Sequence, residues 1–224
     1  MLISYTIPCH KRGADLAKAL PYVIEAALVS PPVEVVLVDY ANDPALIVMW
    51  IAHEQNALTI VRYHGRDHYH SAHARNLSVK ASTGDYVVIS SADICPRPNY
   101  FEVVRQRLEE THALWLRPDV QYVGVVVVQR DELIAAGGFD ERIAYYGSED
   151  KDLIARLHRR TVRVASYDAS SVLDMFRTTN AEKVKHYGVA MSKTAMMQHG
   201  SAIYHANIAA GTLVANEGVE WGAL

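Results

Sequence analysis

Only two cysteines occur in the 224 residues, Cys9 and Cys95, far apart and without a CxxC spacing. Their scarcity excludes a disulfide framework and a thiolate zinc site, and both thiols are expected to stay reduced. An excess of one charge is lacking too: 22 Lys and Arg stand against 25 Asp and Glu, a net of −3. No global field therefore argues for nucleic acid or an acidic membrane as partner. The opening Met1-Leu2-Ile3-Ser4 reaches Pro8 and the pair Lys11-Arg12 too soon for a signal-peptide core or a spanning helix. A cytoplasmic protein without an integral membrane segment is expected. Internal repeats and low-complexity linkers are missing as well.

Apolar residues make up half of the chain, enough for a substantial core without staples. Three apolar runs rich in β-branched residues and lacking strict alternation read as strands buried on both faces: Val33 to Val38, Tyr86 to Ser90 and Tyr122 to Val128. Shorter strands are expected at Leu2 to Ile7, Leu58 to Tyr63 and Val162 to Tyr167. Helices are expected over Ala14 to Leu28, Pro44 to Glu54, Ala72 to Lys80 behind a Ser71 cap, Asn99 to Glu110 and Ser148 to Arg160. Such alternation implies right-handed crossovers and a doubly wound sheet, whose ligand crevice lies beyond the carboxyl ends of the strands. Residues that end strands are accordingly the candidates for chemistry.

Asp39 ends the second strand, where its carboxylate either accepts hydrogen bonds from a base or ribose or caps the helix near Pro44. Asp93, in SSADICP, either holds a hard cation against a diphosphate or is a turn residue before Pro96 and Pro98. Arg75, in AHARN, sits one turn into a helix that starts at the crevice, within reach of a phosphate or as a solvated charge. The run Arg62, His64, Arg66, His68, His70 and His73 reads as a solvated basic face, because its histidine spacing fits no helical metal pair. The pair Glu149-Asp150 follows the loop Tyr145-Tyr146-Gly147 at a helix start. The helix dipole keeps both acids anionic, which suits a base that takes a proton from a hydroxyl; simple stabilisation of the helix end is the other reading.

Taken in order, ISYTIPCHKR, VVLVDYAND, AHARNLSVKASTGDYVVISSADICP and GGFDERIAYYGSEDKDLIARL resemble family 2 glycosyltransferases. The last segment resembles the galactosyltransferase-like segment of β-1,4-galactosyltransferases and chondroitin-type polymerases, and the likeness spans roughly Ile3 to Arg160. It implies an α/β GT-A fold, a Rossmann-like, mainly parallel mixed sheet flanked by helices. Residues 1–170 would form the transferase domain, with a donor half to about 95 and an acceptor half beyond, and 171–224 an extension packing on or completing it. The implied activity is transfer of a sugar, with inversion, from a nucleotide sugar, usually a UDP-sugar, aided by Mn²⁺ or Mg²⁺. Matched to the family's motifs, Pro8, Asp39, Arg75 and Ser91 bind the donor and Asp93 the metal. Asp150 is the catalytic base, and Glu149 orients the acceptor. Ser91 replaces the first acid of the family's DXD, and Asp174 stands where a histidine usually completes the metal site, with His186 and His199 as rivals. A non-catalytic nucleotide-sugar or glycan binder and a sugar-1-phosphate nucleotidyltransferase are the competing classes. The second lacks the glycine-rich phosphate loop it requires. The acceptor stays open among glycan, lipid, protein, small molecule and modified nucleic acid.

Overall fold

The computed structural model describes residues 1–41, 58–119, 122, 124–161, 163–176 and 179–224. The helix expected over Pro44 to Glu54 lies outside them.

The chain runs β1 (Ile3–Cys9), α1 (Gly13–Val29), β2 (Val33–Asp39), β3 (Leu58–Arg62), α2 (Ser71–Ala81), β4 (Tyr86–Ile89), β5 (Ile94–Pro96) and α3 (Tyr100–Thr111). It continues with β6 (Trp115–Arg117), β7 (Val127–Gln129), α4 (Arg130–Ala135), α5 (Glu149–Arg160), β8 (Val164–Ser166), β9 (Leu173–Met175), α6 (Asn180–Tyr187) and α7 (Lys193–Ala210). Seven strands form one sheet in the order β3-β2-β1-β4-β7-β6-β8. Only β7 runs against its neighbours, pairing antiparallel with both β4 and β6. A separate ribbon joins β5 to β9.

All seven residues of β1 are buried, as strands covered by helices on both faces require. Ile3, Tyr5 and Ile7 pack with Leu16 and Leu20 of α1 and Phe101 of α3. On the opposite face Val87, Ile89 and Val128 pack with Ala72 and Val79 of α2 and with Leu153 and Leu157 of α5. The mixed, mainly parallel α/β sheet is thus the expected one, and it sets the carboxyl ends of β1, β2, β3 and β4 along one edge.

Three expectations need correction. The strand expected over Tyr122 to Val128 is confined to its last residues, since Val125 closes a turn onto the Tyr122 carbonyl (2.7 Å) before β7 begins. Burial without alternation does not separate a core strand from a core loop. Ser71 is the first residue of α2 rather than its cap: His70 takes that place, its Nδ1 accepting from the His73 amide at 3.2 Å. Nor is the basic run one solvated face. Arg62, His64 and Arg66 are exposed, but His70 and His73 are buried. Burial pushes the pKa of His70 down to about 3, so it stays neutral, its Nε2–H donating to the Glu141 carbonyl (2.9 Å).

Candidate active site

The parallel strands end in the residues singled out above. Pro8 lies buried at the end of β1, in register with Val38. Asp39 is fully buried at the end of β2, where its Oδ1 accepts from the Ala41 amide (3.3 Å). Beyond β4 the chain turns through Ser90, Ser91 and Asp93. There Ser91 Oγ donates to Asp93 Oδ1 (2.6 Å), and Arg12 Nη2 pairs with Asp93 Oδ2 at 3.0 Å. Burial opposes ionisation of Asp93, but the Arg12 cation and the Ser91 hydroxyl outweigh it and hold the carboxyl below its usual range. Arg12 was not singled out from sequence, although its place in the turn between β1 and α1, four residues past Pro8, puts it on the same edge.

A cavity of about 140 Å³ opens beside this turn, lined by Arg75, Ser90, Ser91, Tyr122 and Gly124 among others. A methyl group placed on Gly124 would come 3.9 Å from Asp150 Oδ2, which sets that carboxylate beside one residue of the cavity lining. Asp150 reaches this place through a backbone turn that few residues can make. Gly147 and Ser148 both have positive φ, 96° and 76°, so glycine is the fitting residue at the first. The next residues, Glu149 and Asp150, open α5, whose last turn carries His158, Arg159 and Arg160. Acids first and bases last complement the helix dipole.

The preceding turn is fixed from three sides. Asn76 of α2 grips the Phe139 backbone in both directions, at 2.8 and 2.9 Å. Gly137 and Gly138 have φ of 73° and 65°, and a Cβ on Gly137 would meet the Ala215 carbonyl at 2.0 Å. Arg156, 1% exposed, reaches the Ala136 and Gly138 carbonyls and pairs with buried Asp152 (2.8 Å). From α7, Asn207 Nδ2 donates to Asp140 (2.9 Å) and Asp152 (2.7 Å). Gly200 packs so closely that a Cβ there would stand 2.2 Å from the Gly147 carbonyl.

Glu149 is 8% exposed. Its Oε1 accepts from Ser71 Oγ at 3.0 Å, while Oε2 is buried with no hydrogen-bond partner among the described residues. Burial first, and the neighbouring Asp150 charge second, push its pKa above the usual 4.5. The fold therefore favours the protonated form. That contribution is complete below 4.5 and is lost as pH rises through the folded value. Glu149→Gln is accordingly expected to be more stable than wild type near pH 7. Melting curves at pH 4 and pH 7 check this: the two proteins should converge at the lower pH.

Whether a divalent cation fits depends on the oxygen ligands. Asp93 offers one carboxylate at the crevice. Asp174, on β9, is 64% exposed at its side chain and bonded to Arg97 at 3.1 Å. His199 packs on Tyr145, and the His186 carbonyl bonds His10. Among the described residues no group of three His, Cys, Asp or Glu converges on one point. Asp93, itself bonded to Ser91 and Arg12, is thus the carboxylate left at the crevice, and one is the number a hard cation needs where substrate phosphates and water supply the rest of its shell. None of the described helices is long and apolar enough to cross a membrane.

The sequence model described as glycosyl transferase family 2 matches residues 4–168. The chain belongs to that family. Among curated proteins no match is found. Solved structures of similar fold include a Staphylococcus aureus TarS fragment in complex with UDP-GlcNAc, 13% identical over 98% of this chain and 68% of that one, with a TM-score of 0.72. The mannosyltransferase PcManGT of Pyrobaculum calidifontis, in complex with GDP-Man and Mn²⁺, is 18% identical over 94% and 76%, TM-score 0.62. The catalytic domain of Drosophila β1,4-galactosyltransferase 7, in complex with xylobiose, is 13% identical over 88% and 78%, TM-score 0.58. In this family 2 chain the sheet edge and the cavity are thus arranged on a GT-A scaffold. Ser71, Arg12 and the α7 supports are the parts that motif reading missed.

Proposed function

We propose that the protein transfers a sugar from a nucleotide sugar, most simply a UDP-sugar, to an acceptor hydroxyl with inversion. The observation that carries this is the position of Asp150, whose carboxylate lies beside Gly124, a lining residue of the same cavity that Arg75 and Ser91 line. Asp150 takes the acceptor proton as the acceptor oxygen attacks the anomeric carbon. The new glycosidic bond forms on the face opposite the departing nucleoside diphosphate, whose bond to that carbon breaks. Arg75 lies one turn into α2, where its guanidinium binds the donor. Pro8 and Asp39 border the base and ribose. Asp93 would hold Mn²⁺ or Mg²⁺, which would supply positive charge to the diphosphate when bound.

We further infer one domain, in which residues 171–224 complete the unit begun by 1–170; the β5–β9 pairing and the seat of α7 on α5 support this. A cytoplasmic location is in keeping with a chain whose two cysteines are both buried.

The test is donor binding and hydrolysis for UDP-, GDP- and dTDP-sugars with and without Mn²⁺. One donor should bind in a metal-dependent way, and Asp93→Ala should weaken that binding at least about tenfold. Absence of binding to every donor would leave a non-catalytic protein as the better reading.

A further inference from the structure

Ser71 is 3% exposed and lies at the point where three parts of the site meet. Its hydroxyl donates to Glu149 Oε1 at 3.0 Å and accepts from Arg75 Nε at 3.5 Å. A hydroxyl has one proton and two lone pairs, and this one spends its proton on Glu149 and one lone pair on Arg75. Each of the two side chains it joins keeps an atom without a partner: Glu149 Oε2 and Arg75 Nη1 are both buried and both without a hydrogen-bond partner among the described residues. An unmet buried acceptor and an unmet buried donor each cost about 1–3 kcal/mol, and the two side chains that carry them meet at the Ser71 hydroxyl, one of them next in sequence to Asp150.

One chemical group satisfies both atoms at once: a hydroxyl, which donates to a carboxylate and accepts from a guanidinium. We infer that Ser71 is a positioning residue, locking Glu149 and Arg75 to each other so that Oε2 and Nη1 together receive one hydroxyl of the sugar substrate. This rests on the glycosyltransferase reading and adds to it what Glu149 recognises. The hydroxyl belongs either to the donor sugar or to the acceptor, and the chemistry of recognition is the same for both.

The groups facing Glu149 are Asp150 on its own helix, Arg75 and Ser71 on α2, and the phenols of Tyr69, Tyr146 and Tyr187. Among these Arg75 and Ser71 favour its ionised form. Removing the Ser71 hydroxyl shifts the balance toward the acid, and the ionised form is the one that accepts a substrate hydroxyl.

The experiment compares Ser71→Ala and Ser71→Thr with wild type. Calorimetry uses UDP-GlcNAc, UDP-galactose, UDP-glucose and GDP-mannose, each against its bare nucleoside diphosphate, and transfer is followed across pH. Ser71→Ala is expected to lose about tenfold or more in kcat/KM and to carry the acid limb of the pH profile to higher pH. Ser71→Thr should restore both. If the hydroxyl is the donor's, Ser71→Ala weakens binding of the nucleotide sugar while leaving UDP or GDP unchanged. If it is the acceptor's, donor affinity is kept and the acceptor KM rises. An unchanged Ser71→Ala enzyme overturns the inference, as does a loss of activity with an unmoved acid limb and equal weakening of the bare nucleotide. A wild type inert toward every donor instead removes the transferase reading, and this inference with it.

Discussion

Asp150→Asn is expected to lower transfer by about a thousandfold while leaving donor affinity and the melting temperature close to wild type. The reasoning is local. The side chain is half-buried beside Gly124, and its Oδ1 accepts from the Lys151 amide at 2.8 Å, a bond that the asparagine oxygen can also accept. What is lost is a group able to carry away the acceptor proton, a contribution of about 10²–10⁴ in rate. Steady-state transfer measured beside calorimetric donor binding separates the two effects. Full turnover by the variant would show that the base lies elsewhere.

Arg156→Leu is expected to cost about 3–5 kcal/mol of stability, because it strands the carboxylate of Asp152, 1% exposed, and takes the partner from two buried carbonyls. For a chain of this size that corresponds to a fall in melting temperature of roughly 10 °C. The double variant Arg156→Leu with Asp152→Leu should recover part of the loss, since it removes the stranded charge and leaves only the carbonyls and Asn207 short of partners. Thermal melts of the three proteins check the order. A single variant as stable as wild type would mean that water reaches Asp152 and that the network is not closed.

The sheet was readable where burial on both faces leaves a continuous run of β-branched residues, as in Val33 to Val38 and Tyr86 to Ile89. The same criterion overran at Tyr122 to Val128, because a buried loop uses the same residues. Strands of three residues, such as β6 and β9, are too short for any period to show. On α5 the apolar face reads as Leu153, Ile154 and Leu157, yet the buried set is Glu149, Asp152, Leu153, Arg156 and Leu157. Asp152 and Arg156 lie inside because they satisfy each other, Asn207 and the turn carbonyls, and Glu149 lies inside with one oxygen held by Ser71; hydropathy cannot register such pairing. Strand-end acids were legible from topology alone. The contacts of Arg12 with Asp93 and of Ser71 with Glu149 were not, since they join residues brought together only by the fold.

The strand ends at the sheet edge come from the first hundred residues, whereas the turn presenting Glu149 and Asp150 leans on Gly200 and Asn207, near the other end of the chain. Under the proposed assignment, the donor side and the base are therefore held by distant stretches of sequence that meet where Ser71 bonds Glu149. A substitution in α7 is a way to move the turn that carries Asp150 without touching any strand end.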